Sequence, residues 1–218
     1  MKFKETKGLQ KTIKVSPRNP DRVIGTFHGE APSREYVKAR HYLTKILALL
    51  FKENIPQIHM SSTHPHRIEV DRKNWDKDHT EMQRIIRWGQ RLGLVGFSYF
   101  IIAVLGTNEK FINDPKTQEF LGKILTINRS FRTSEDLVAG HNYTKEKGGN
   151  PIYLDSFEPW NYENKRPLML GFDLTVLREE IDKLPEEEKK VAMSSLDRIM
   201  VLWNEERSKF DKKKEPQT

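Results

Sequence analysis

The sequence predicts an α+β fold in which a small sheet crossed by one helix is followed by a mostly helical half. Three observations carry this. Short β-branched and aromatic runs cluster before residue 75, at 9–15, 22–28, 54–59 and 67–71. One long amphipathic stretch, 33–51, interrupts them. After residue 76 the apolar residues recur mostly at helical spacing. The expected organisation is a small α+β lobe over 1–75, a mainly helical lobe over 76–208, and a charged, frayed tail over 209–218.

The elements follow in order. Leu9–Val15 alternates in character, and Pro17, Asn19 and Pro20 then break regular structure. Arg22–His28 reads as a strand ended by Gly29 and Pro32. Ser33 is placed to cap a helix, because its hydroxyl can accept from a free backbone N–H, and Glu35 in the first turn suits the dipole. Tyr36, Val37, Ala39, Tyr42, Leu43, Ile46, Leu47, Leu49 and Leu50 give that helix one apolar face. The extended segments 54–59 and 67–71 are expected to pair through a turn at 61–65. Residues 78–89 read as a helix. The apolar run Leu92–Leu105 is about 14 residues long, short of the ~20 needed to span a bilayer, and reads as a buried helix. Trp88, Phe97, Tyr99 and Phe100 are accordingly expected in the core. Phe111–Ile127 reads as a helix with Asp114-Pro115 at its start. Asn161–Pro167 is expected to be an irregular link, and Phe157, Pro159 and Trp160 before it are expected to pack against the helical lobe, with a lid or partner surface as the alternative. Two helices follow, 172–184 and one opened by Pro185 and three glutamates.

Composition bounds the partners. The chain has 218 residues, is 36% hydrophobic and 32% charged, and carries a net charge of +7 with no cysteine. Cysteine-based metal sites and disulfides are therefore excluded. The basic surplus favours a polyanion, a nucleotide or an acidic membrane, although many globular proteins carry such a charge without using it. Nucleic acid is supported by charge alone, since no helix-turn-helix, finger or RNP signature is present. The first ten residues lack the apolar core of a signal peptide. These features point to a cytoplasmic protein with no membrane partner. His59, His64 and His66 near Glu69 are residue types that zinc accepts, but two of them flank Pro65, and surface histidines are the expected reading.

The chemistry concentrates in Ser134–Trp160. Asp136 and Asn142 lie in a polar loop, His141 among them. Gly148, Gly149 and Asn150 form a turn, and Ile152–Leu154 is a short strand closed by Asp155. An acid at a strand end beside a loop amide suits Mg²⁺, which takes few protein oxygens and completes its shell with water and phosphate. Ordinary turn chemistry of Asp and Asn is the competing reading.

Asp136-Leu137, Asn142 and Asp155, with a hairpin between the last two, resemble the loop–hairpin–acid arrangement of the protein kinase and aminoglycoside phosphotransferase superfamily. The resemblance implies a kinase-like fold that binds ATP with Mg²⁺. It implies Asn142 and Asp155 as metal ligands and Asp136 as the base that accepts a hydroxyl proton. Arg22 or Lys14 would neutralise phosphate, and Glu35 would be the helix acid that pairs with such a cation. The pattern departs from the family in several places. The Asp136-to-Asn142 step is one residue longer than the family pattern, Ser134-Glu135 stand before Asp136, and Ser156-Phe157 follow Asp155. There is no glycine-rich phosphate loop, and Lys14 precedes the glycines Gly25 and Gly29. These departures make a catalytically inactive kinase-like module that acts through a protein partner the alternative.

Overall fold

Helix α1 (Arg34–Leu50) is the element against which both halves of the chain pack. Ser33 caps it by accepting from the Tyr36 N–H at 3.1 Å. The computed structural model describes residues 6–7, 11–27, 33–60, 67–74, 76–128, 137–145, 149–163 and 166–212. Within them the fold is mixed α+β, with small antiparallel sheets and a predominance of helix.

The first sheet contains β1 (Thr6–Lys7), β2 (Lys11–Val15), β3 (Arg22–Phe27), β4 (Ile58–Met60) and β5 (Arg67–Asp71) in the order β1-β2-β3-β5-β4, all antiparallel. Phe27, Ile58 and Ile68 on one face of this sheet pack against Val37 of α1. The opposite side of α1 enters a larger core. There Leu43, Ile46 and Leu47 meet the helices α5 (Pro115–Ile127), α6 (Leu174–Asp182) and α7 (Glu186–Lys212). α7 runs along α1 and contributes Leu196 and Ile199. Tyr36 meets the fully buried Trp160 edge-on, with ring centroids 5.4 Å apart. One helix therefore has to satisfy two apolar surfaces, which explains why its buried positions exceed a single stripe.

Several expectations need correction. The 111–127 stretch is two helices, α4 (Thr107–Ile112) and α5, separated at Asp114, whose carboxylate accepts from the Thr117 N–H. Residues 160–170 form a hairpin, β8 (Trp160–Glu163) with β9 (Arg166–Leu170), where an irregular link is expected. Phe157 and Trp160 are buried, as expected. α7 continues to Lys212, beyond the border of the expected tail. The turn at 61–65 lies outside the described residues, although β4 and β5 do pair.

The largest difference concerns the apolar run. It forms the end of a helical hairpin, α2 (Lys77–Arg91) and α3 (Val95–Val104), rather than a core helix. Met82, Ile86 and Ile102 make a small core between the two helices, with Ile85 and Tyr99 at its margin. Trp88 (46% exposed), Phe97 (49%) and Phe100 (61%) stand in solvent. Residues apolar all around a helix give no information about which side is covered. No described helix is long and apolar enough to cross a membrane.

The hairpin closes tightly at Gly89. A Cβ there would lie 2.7 Å from the Ser98 Cβ and 3.0 Å from the Leu94 carbonyl oxygen, with the Ser98 hydroxyl closer still. Gly89→Ala is therefore expected to lower stability by about 1–3 kcal/mol through overpacking, despite the better helix propensity of alanine. Ser98→Gly in the same chain should recover part of that loss. Urea unfolding of the two variants and wild type checks this.

Candidate functional site

A hairpin brings Asn142 and Asp155 together. Its strands are β6 (Tyr143–Lys145) and β7 (Pro151–Tyr153), with Gly149 in the turn at φ 83°, a left-handed conformation that glycine adopts without steric cost. Asn142 ends a 3₁₀ turn, Gly140–Asn142, immediately before β6. Asp155 follows β7. The Leu154 N–H donates to the Asn142 carbonyl at 2.8 Å, so the two ends of the hairpin are locked side by side.

The hairpin is fastened to the rest of the chain at both strands. The Tyr153 N–H donates to the Asn54 carbonyl at 2.7 Å, and the Asn54 amide donates to the Pro151 carbonyl at 2.9 Å. On the other strand the Thr144 hydroxyl donates to the Asn74 carbonyl, and the Lys145 N–H donates to the Asp76 carboxylate. His79 of α2 supports the same strand. Its Nδ1 lies 2.5 Å from the Tyr143 carbonyl, and because a carbonyl only accepts, the proton sits on Nδ1. Leu137, wholly buried, anchors the chain on the other side of the turn.

A residue outside the expected set completes the site. Arg40 projects from α1 and is almost fully buried. Its Nε donates to the Ser156 hydroxyl at 2.7 Å and its Nη2 to the Ser156 carbonyl at 2.7 Å. The Asp155 carboxylate lies 3.7 Å from Nη2. The guanidinium also sits over the Phe27 ring, 5.3 Å from its centroid. Burial works against this charge, but the Tyr36 oxygen and the Asp155 and Glu158 carboxylates outweigh it and hold the pKa above the usual arginine value. One signal in the sequence marks Arg40: it falls within the apolar pattern of α1, three and four residues from Val37, Tyr36, Leu43 and Thr44.

A small cleft opens between the sheet and the end of this hairpin. Ile13, Val23, Ile68 and Val70 line its sheet side, and Tyr153 to Ser156 line the other, with Thr44 of α1 between them. Its enclosed volume is about 50 Å³, enough for a few waters.

The strand register decides the fate of the two expected cations. Lys14 pairs with Ile24, and Arg22 with Asp71. Side chains alternate across a strand. Ile13, Val23, Ile68 and Val70 face the cleft, so Lys14 and Arg22 lie on the opposite face of the sheet. They are not brought to Asp155, and Arg40 stands there instead. Glu35 is likewise not paired with either one. It meets Lys209 of α7 at 2.8 Å, and this bond foremost lowers its pKa. Asp136 lies outside the described residues.

His141, next to Asn142, is packed against Tyr99 of α3 with centroids 5.1 Å apart. Burial lowers its pKa, and the Asp155 charge partly opposes that. His59 pairs with Asp71 at 2.8 Å, while His64 and His66 lie outside the described residues. Among the described residues no group of three or more His, Cys, Asp or Glu forms a metal cluster.

Burial lowers the pKa of both His79 and His41 from 6.5 to about 4. Between those two values the unfolded chain binds protons that the folded chain refuses. Stability therefore falls as pH drops from about 6.5 to about 4, by up to roughly 3 kcal/mol per histidine. His79→Gln, which keeps a donor for the Tyr143 carbonyl, should flatten part of that slope. Denaturant midpoints measured at intervals from pH 7 to pH 4 test this.

Comparison with protein-family models, with curated proteins and with solved structures finds no match to this chain.

Proposed function

We propose that the chain is a small kinase-like protein whose cleft takes a nucleotide with Mg²⁺. The observation that carries this reading is that Asp155 lines the cleft beside the five-stranded sheet, 3.7 Å from the buried cation Arg40, while the bond between the Leu154 N–H and the Asn142 carbonyl holds Asn142 at the neighbouring end of the hairpin. A carboxylate, an amide oxygen and a guanidinium are the side chains that a metal–phosphate group requires.

The donor set fits the metal. Mg²⁺ is commonly held by one or two carboxylates together with substrate phosphates, and the Asp155 side chain is about a quarter exposed, 28%. Asp155 and Asn142 would hold the ion. When bound, it would neutralise charge on the phosphoryl oxygens. Arg40 would bind a phosphate oxygen through the guanidinium face that now meets Asp155, remaining anchored to Ser156. The apolar side chains on the sheet would exclude water from the base. Asp136 keeps the role that the resemblance implies, orienting the acceptor hydroxyl and accepting its proton. Transfer of this kind depends on positioning and charge stabilisation.

The same geometry favours one alternative. Arg40 already neutralises Asp155, and a cleft of about 50 Å³ has to widen before a nucleotide enters. A kinase-like module that stays closed and acts through a protein partner fits those two facts.

Thermal unfolding with ATP and Mg²⁺, separately and together, distinguishes the readings. Ligand at about a hundredfold above Kd stabilises the folded state by about 2.7 kcal/mol, or roughly 5–10 °C for a chain of this size. A rise that requires both ligands and disappears in Asp155→Asn is the expected result. A rise unchanged in that variant removes Asp155 from the site. No rise at millimolar ATP with Mg²⁺ leaves the inactive module as the reading.

A further inference from the structure

The α2–α3 hairpin carries a surface that the nucleotide reading does not use. Trp88, Leu92 and Leu94 around its turn, and Phe97, Phe100, Val104 and Leu105 along α3, are all exposed. Phe97, Phe100 and Val104 fall at helical spacing on one stripe, and the two phenyl rings stack with centroids 6.2 Å apart. Such a contiguous apolar surface on a soluble chain marks an interaction site.

Charge selects the occupant. From Met82 to Asn108 the chain contains no acidic residue, and its charged side chains are Arg84, Arg87 and Arg91. All three are exposed and follow one another at three- and four-residue spacing along α2, with Arg84 and Arg91 four and three residues from Trp88. A second copy docked on this surface about a two-fold axis would bring the arginines of one chain toward those of the other. An anionic partner is favoured instead. The apolar side chains project from a helical hairpin and its turn, whereas a bound peptide helix would need a groove. Exposed aromatic and leucine side chains on the same hairpin as exposed arginines are the composition of surfaces that sink into the headgroup region of anionic bilayers. α3 has ten residues, about 15 Å of helix, so it is too short to cross. A missing membrane-spanning helix does not bear on such a surface.

We propose that the α2–α3 hairpin docks the protein on an anionic lipid surface, with Phe97 and Phe100 inserted among the headgroups and Arg84, Arg87 and Arg91 against phosphates. The test is co-sedimentation of the full chain with vesicles of phosphatidylcholine alone or mixed with phosphatidylserine. The expected result is binding that needs phosphatidylserine and weakens as salt rises. Reversing an arginine to glutamate should cost about fivefold or more per residue. Phe97→Ser with Phe100→Ser should reduce binding about tenfold or more with the thermal midpoint kept, since both rings are exposed.

Because the chain has no cysteine, Phe100→Cys can be labelled uniquely with an environment-sensitive fluorophore. Its emission should shift to the blue on mixed vesicles, while the same label at Glu179→Cys on α6 should not respond. Five outcomes overturn the proposal. Two are no binding to mixed vesicles, and binding that the serine variants leave intact. Two others are a silent label at position 100, and a dimer in solution that dissociates in the serine variants without any vesicle binding. Tight binding to a single-stranded oligonucleotide, indifferent to the two phenylalanines and unaccompanied by vesicle binding, would assign the arginines to nucleic acid and also overturn it.

Discussion

The buried guanidinium of Arg40 fixes how the sheet, α1 and the Asn142–Asp155 hairpin sit together. Removing such a charge from water costs several kcal/mol unless its donors are satisfied and an opposite charge stands near. Ser156 supplies two acceptors, Asp155 supplies the charge, and the Phe27 ring covers one face. These partners come from β3, the element just before α1, and from the segment after β7, more than a hundred residues further along the chain. The orientation of all three is therefore coupled. If the hairpin slid by one residue, Arg40 would lose its acceptors, and an uncompensated buried cation is among the most costly defects a fold can carry.

The supports around the hairpin give the same constraint a second form. Asn54, Asn74 and Asp76 hold its two strands by backbone and side-chain hydrogen bonds, and His79 braces β6 from α2. Asn142 and Asp155 thus occupy positions set by ordered strands rather than by a loose loop. Functional groups held by packed, hydrogen-bonded supports keep their geometry when a ligand arrives. Turn chemistry alone would account for an Asn or an Asp at such places, but it does not require a buried cation beside the acid.

Much of the fold was legible in the sequence because its signals are local. Ser33 and the apolar pattern of 36–50 specify α1, and the β-branched runs specify β2, β3 and β5. Signals that depend on facing were not legible. Arg22 and Lys14 lie on the expected strands, but register decides which face each side chain takes, and it turns both away from the cleft. The Leu92–Leu105 run has the composition of a core helix, but among the described residues no element covers Phe97 and Phe100, which stay exposed. The β8–β9 hairpin was hidden by Asn161, Asn164 and Pro167, residues that read as a turn, although proline is tolerated on an edge strand. In the site, the hairpin that joins Asn142 to Asp155 was readable. Arg40 was not, because a single charge within an apolar pattern has no local meaning until its partner, more than a hundred residues away, is in place.

The two proposals converge on one residue. His141 precedes Asn142, feels the Asp155 charge, packs on Tyr99 of α3 and receives a hydrogen bond at its carbonyl from Gln83 of α2. The base of the α2–α3 hairpin therefore touches the loop that presents the amide of the site. A lipid surface that orders the hairpin would act on that loop directly, through packed side chains and one hydrogen bond. A nucleotide that draws Arg40 from Asp155 would change the charge that His141 faces from the other side. Neither ligand would need a long path to sense the other, because both would bias the same short segment between a 3₁₀ turn and β6.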